Sequence, residues 1–236
     1  MSEGSSSLNT AAKTSAHFPV PAYEPQDVVF LPAFELLRQA IAQHVFPGAS
    51  VAVTHQGKLV ALKAVGRFTY DLESPEVTSA SIFDLASVSK VVATTTVAMI
   101  LYQRGLLDLE MPVVSIVPEF SGQDERRSEV TLHLLLAHSS GLPAYEKLFL
   151  RAPTKTQLLD AAFTTPLAAD PGSQAAYSDV GFIILGVALE RIVDEPLDRF
   201  CQREVFGPLG MAHTGFKPPD APPLLLLTVL LVSFAS

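Results

Sequence analysis

A chain of 236 residues, 48% hydrophobic and only 17% charged, can bury a sizeable core and is not the composition of a disordered protein. Its net charge of −8 comes without any basic cluster, which argues against nucleic acid as a partner. The single cysteine, Cys201, excludes an internal disulfide framework, and no His or Cys spacing suits a metal.

The first residues, Met1 to Thr14, are polar and serine-rich and lack the apolar core of a signal peptide, so a cytoplasmic location is expected. Residues 1–32 read as a flexible arm, because Pro19, Pro21, Pro25 and Pro32 interrupt regular structure. Phe34, Leu37, Ile41 and Val45 then recur at helical spacing and predict an amphipathic helix over 33–45. Two β-rich runs, Ser50 to Thr54 and Lys58 to Val65, flank His55-Gln56-Gly57 and predict a hairpin.

After a loop from Gly66 to Ser81 comes Phe83-Asp84-Leu85-Ala86-Ser87-Val88-Ser89-Lys90, which runs into an apolar segment through Leu101. The segment is long enough for a buried helix, with Gly105 as its natural C-cap. Serine and lysine three apart lie on one helical face. A neighbouring base can then take the serine proton, and the helix start favours developing negative charge. By itself the S-x-x-K spacing is weak, because it is also what a capped helix with a surface lysine would show. Ser89 lies one residue from Lys90 and faces elsewhere.

A turn-rich connection spans Leu106 to Phe120. Val130 to His138 predicts a short buried helix closed by Ser139-Ser140-Gly141-Leu142-Pro143, and 154–163 predicts another. Asp170-Pro171-Gly172-Ser173 is a turn, followed by Tyr177-Ser178-Asp179 and by apolar helices over Val180 to Val193 and Pro196 to Phe206. Cys201 falls within the last of these and is expected to be a small hydrophobe. A hairpin first and helices afterwards predict an α+β fold.

Four blocks now stand in order: Phe83 to Lys90, then Leu135-Leu136-Ala137-His138-Ser139-Ser140-Gly141-Leu142, then Pro171-Gly172-Ser173 with Tyr177-Ser178-Asp179, and last Val205-Phe206-Gly207-Pro208-Leu209-Gly210-Met211. Together they resemble the serine β-lactamase and penicillin-binding-protein-like superfamily, on the side of class C β-lactamases, D-alanyl-D-alanine carboxypeptidases and related esterases. The resemblance covers about residues 33 to 216. It implies a β-lactamase/transpeptidase-like α+β domain that acylates a serine from an ester, amide or β-lactam and needs no cofactor or metal.

The same resemblance implies that Ser87 is the nucleophile, Lys90 its proton acceptor or electrostatic partner, and Tyr177 a general base and then acid. Asp179 stands at a substrate-binding position where many class C enzymes carry asparagine. An ionised aspartate only accepts hydrogen bonds, so it could hold the Lys90 ammonium but not donate to a substrate carbonyl. That departure speaks mildly against a dedicated β-lactamase. His138 is expected to be structural, since the chain contains no G-x-S-x-G elbow.

The superfamily's K-T-G or H-x-G triplet is expected well after Met211; apart from His213-Thr214-Gly215, which directly adjoins the Val205 to Met211 block, no such triplet occurs. Instead a Pro-rich stretch leads to the apolar run Leu224 to Ser236, so residues 217–236 read as a tail foreign to the family. The expectation is a domain lacking the C-terminal strands of its sheet, with an unpaired hairpin edge and weak or absent activity. Two other readings of the tail are a patch on that sheet and a membrane contact, for which 13 residues are short. Two alternatives to a hydrolase are a catalytically dead relative serving as a binding or scaffold domain, and a lipid-associated protein.

Overall fold

The computed structural model describes residues 25–150, 152–216, 225–226 and 233–234. The chain divides into two compact units, one from residues 1–81, 206–214 and 230–236, the other from 82–205 and 215–229. The architecture is α+β.

In the first unit, two short helices, α1 (Gln26–Val29) and α2 (Leu31–Ala42), precede the hairpin β1 (Gly48–His55) and β2 (Lys58–Gly66). The arm expected over 1–32 is therefore helical from Gln26 onward, while residues 1–24 lie outside the described residues. Pro32 does not prevent this, because a proline fits the first turn of a helix, where no amide partner is lost. Helix α2 ends three residues earlier than the predicted 33–45, and Val45 is exposed.

The strands of the hairpin pair antiparallel from Gly48↔Gly66 to His55↔Lys58, with an irregularity between Val53 and Thr54. Gln56 and Gly57 turn the chain at φ 49 and 72, the left-handed pair a tight hairpin needs. Phe34 buries itself under Lys63, whose Nζ lies 5.8 Å from the ring centre and 2.8 Å from Asp27. The expected unpaired edge is partly covered: β5 (Ser233–Phe234) runs parallel to β1 at Thr54↔Ser233 and His55↔Phe234. Backbone pairing at an open edge depends little on side chains, which is why an apolar tail can supply it.

The second unit is mainly helical. Its strand β3 (Phe83–Asp84) pairs in parallel with β4 (Leu225–Leu226). A helix then runs on as a π-helical segment Lys90–Thr95 continued by α3 (Thr96–Gln103). The Thr96 hydroxyl donates to the Val91 carbonyl five residues back, the spacing of the wider π turn. Arg104 caps α3 and Gly105 follows at φ 69.

Helices α4 (Val113–Ile116), α5 (Leu132–Leu136) and α6 (Lys155–Thr164) pack around α7 (Asp179–Val193), and α8 (Leu197–Cys201) follows it. Gly181, Ile184, Leu185, Ala188 and Leu189 form the buried face of α7 at the i, i+3, i+4, i+7, i+8 spacing. Val97, Leu101, Val113, Val117, Phe120, Leu132 and Leu135 are further fully buried apolar residues of this core. Each such side chain contributes about 1.5–3 kcal/mol on burial. Cys201 is buried among them, and burial pushes its thiol up to about 11, so it is an inert core residue. Among the described residues, no helix is long and apolar enough to cross a membrane.

Candidate active site

The second unit brings together all four residues singled out in the sequence. Ser87 sits on an exposed turn between β3 and the helix. The Asp84 carboxylate accepts from the Ala86 amide at 2.8 Å and shapes that turn. Ala86 holds φ 43, a left-handed conformation that costs a non-glycine residue about 1–3 kcal/mol and recurs at functional turns. The Ser87 amide thereby falls in the first turn of the helix, where N–H groups lack intrahelical partners.

One helical turn on, Lys90 Nζ donates to Ser87 Oγ at 2.9 Å. The same ammonium lies 2.6 Å from Asp179 Oδ1 and 5.0 Å from the centre of the Tyr177 ring. Burial alone would lower the Lys90 pKa, but its hydrogen bonds to Asp179 and Tyr177, together with their charges, hold it above the ordinary 10.5. Lys90 is thus a firmly protonated cation. As the sequence suggested it could, Asp179 holds the ammonium, which disfavours Lys90 as a base.

Tyr177 and Asp179 reach the lysine because of how α7 begins. Ser178 is the N-cap of α7, with its hydroxyl accepting from the Gly181 amide at 3.1 Å and donating to the Pro143 carbonyl at 2.8 Å. Asp179 is the first residue of the helix, where the dipole also favours a carboxylate. Phe182, one turn further, brings its ring within 5.9 Å of Lys90 Nζ.

His138 holds the segment before α7. Its Nδ1 accepts from the Ser178 amide at 2.9 Å, and its carbonyl accepts from the Ala176 amide at 2.7 Å. Its ring lies 4.5 Å from that of Tyr177 and 4.8 Å from that of Phe182. Gly141, three residues on, holds φ 81, and a Cβ there would meet the Ala169 carbonyl at 2.3 Å. Only glycine fits, and its own carbonyl accepts from the Ala168 amide at 2.8 Å. The block from His138 to Gly141 is therefore a structural joint that presents Tyr177.

Chemically, the arrangement is a hydroxyl at an exposed helix start, one fixed ammonium touching it, and a phenol and a carboxylate around that ammonium. No cluster of three His, Cys, Asp or Glu side chains suited to a metal occurs among the described residues.

Residues 34–226 match the family model described as Beta-lactamase. The chain is 32% identical over 190 residues to an Escherichia coli protein named "Putative D-alanyl-D-alanine carboxypeptidase", covering 73% of this chain and 44% of that protein. It is 28% identical over 193 residues to the N-acetylmuramyl-L-alanine amidase of Bacillus subtilis, covering 73% and 43%. Among solved structures it is similar to EstCE1, a hydrolase with promiscuous acyltransferase activity (TM-score 0.68, 26% identity, 78% of this chain and 52% of that one). A class C beta-lactamase shares the fold at TM-score 0.71 and 24% identity, covering 83% and 52%. The chain thus spans less than half the length of these curated relatives and about half of these solved structures.

Proposed function

The chain belongs to the beta-lactamase family of serine hydrolases, and on that premise we propose that it is an acyl-transfer hydrolase whose nucleophile is Ser87. The observation that carries this reading is the single ammonium of Lys90, placed 2.9 Å from Ser87 Oγ and 2.6 Å from Asp179. A cation there stabilises negative charge on Ser87 Oγ and on the Tyr177 oxygen alike.

In the proposed cycle Tyr177 reacts as its phenolate, beside the Lys90 ammonium, and Ser87 Oγ attacks the carbonyl carbon of a small ester or amide while its proton passes to the phenolate oxygen. Lys90 stays protonated throughout and acts electrostatically. The Ser87 amide, at the helix start, is one donor to the developing oxyanion. Tyr177 then returns the proton to the leaving alcohol or amine, and an acyl group remains on Ser87. Water, deprotonated by Tyr177, releases the acid and restores the serine.

Asp179, engaged with Lys90 and unable to donate while ionised, offers no hydrogen bond to a substrate amide carbonyl. Esters are therefore the proposed substrate class, ahead of amides, whether peptides or β-lactams. The test is turnover of a chromogenic ester, a chromogenic cephalosporin and a D-alanyl-D-alanine peptide by the parent and by Ser87→Ala. Ester or peptide hydrolysis that Ser87→Ala abolishes supports the proposal. Hydrolysis that Ser87→Ala retains overturns it, and no turnover of any of the three favours a binding role for the domain.

A further inference from the structure

We infer that His138 is a positioning residue that must stay neutral: it clamps the backbone on both sides of Tyr177, and its protonation releases that clamp. The inference rests on the reading in which Tyr177 takes the Ser87 proton. Two contacts from one residue bracket Tyr177, the His138 carbonyl on the Ala176 amide and the His138 Nδ1 on the Ser178 amide. The ring itself lies against both Tyr177 and Phe182, 4.5 and 4.8 Å between centres. A residue at φ 54 can do this because the left-handed turn points its carbonyl and its side chain at the same strand of backbone.

The chemistry of the clamp depends on protonation. Nδ1 accepts a hydrogen bond only in the tautomer that carries its proton on Nε2. Adding a second proton turns Nδ1 into a donor facing the Ser178 N–H, so the contact becomes repulsive and residues 176–178 must move. The same backbone positions the N-cap hydroxyl of α7 and, next to it, Asp179. A charged His138 therefore disturbs Tyr177 and the Lys90 partner together.

The groups facing His138 are Lys90 from the nucleophile helix, Asp179 from α7 and Tyr177 from the clamped segment. Burial, then the Lys90 charge, push the His138 pKa below the ordinary 6.5, opposed by Asp179. The sign follows: the unfolded chain binds the proton first, so stability is full above about 6.5 and falls as the pH drops toward the folded pKa.

Two variants separate the clamp from a merely structural histidine. His138→Asn tolerates the left-handed turn, keeps a side-chain acceptor and does not titrate. His138→Leu removes the acceptor and leaves the Ser178 N–H unpaired. The readouts are the Ser178 amide resonance against pH and the rate at which a fluorophosphonate labels Ser87 between pH 5 and 8. In the parent, the Ser178 resonance and the labelling rate are expected to change together with one midpoint below 6.5.

His138→Asn is expected to label within about threefold of the parent at pH 8 and to lack that acid limb. His138→Leu is expected to lose about tenfold or more at pH 8, the consequence of one buried unpaired donor, and to converge with the parent as the pH falls. An acid limb unchanged in His138→Asn, or a Ser178 resonance that ignores His138, overturns the inference. Absent labelling of the parent with a titrating Ser178 amide overturns the Ser87 reading instead, and leaves the clamp standing.

Discussion

The Lys90 ammonium is 2.6 Å from the Asp179 carboxylate, and that pair ties the first turn of the helix that carries Lys90 to the first residue of α7. The two segments are about 90 residues apart in sequence, yet each supplies a group that the other's chemistry requires. Ser87 Oγ accepts from the same ammonium at 2.9 Å.

If that cation supports acylation, Lys90→Ala is expected to lower the rate of Ser87 labelling by about 10² to 10⁴. Alanine is the better helix former, so circular dichroism is expected to show undiminished helix content. A variant labelled at the parent rate would return Lys90 to the role of a surface lysine.

Removing the carboxylate while keeping its shape isolates the electrostatic half of the pair. In Asp179→Asn the strongest raising influence on Lys90 is gone, while burial still lowers its pKa. The lysine Cε resonance is therefore expected to titrate at lower pH than in the parent, where it titrates above 10.5. In the parent the pair stabilises the fold fully below 10.5, and that contribution is lost as the pH rises through the raised value. An unchanged midpoint would mean that Asp179 does not hold the ammonium.

Arg127 tests the packing at the C-terminal end of α6. It is buried, and its guanidinium donates to the carbonyls of Phe120 at 3.0 Å, Phe163 at 2.7 Å and Thr165 at 2.6 Å. Arg127→Met fills similar space but leaves those carbonyls without these donors, a loss on the order of 3 kcal/mol. Its neighbour Arg126 is paired in water with Asp124 and Asp170, so Arg126→Gln is expected to cost far less than Arg127→Met. Urea denaturation of both variants checks the contrast, and equal losses would contradict it.

Helix α7 was legible as one long apolar run, and the hairpin as two β-rich runs flanking His55-Gln56-Gly57. The helix expected over 154–163 runs over Lys155–Thr164, with Thr154 as its N-cap accepting from the Gln157 amide. Ser87 and Lys90 could be paired from spacing alone, whereas Tyr177 and Asp179 joined them only through the resemblance of ordered blocks. Nothing local announces that a tyrosine before an N-cap will face a lysine far upstream.

Other features were hidden for definite reasons. Arg127 reads as one of several charges in a polar connection, since backbone carbonyl acceptors leave no trace in sequence. The role of His138 depends on which way a left-handed turn points one nitrogen. The π segment Lys90–Thr95, at whose end the Thr96 hydroxyl bonds the Val91 carbonyl, leaves no mark in the apolar pattern. The helices from Gln26 onward were masked by prolines that fit helix starts as readily as they break helices. Pairing of Ser233 and Phe234 with β1 uses backbone groups that every residue carries.

The central claim is that Ser87 is the acyl-accepting nucleophile. Its most direct test is the mass of the chain after incubation with a fluorophosphonate, followed by peptide mapping. A single adduct on the peptide containing Ser87, absent from Ser87→Ala, is the predicted result. An adduct that survives Ser87→Ala, or that maps to a different serine such as Ser89, would contradict the account.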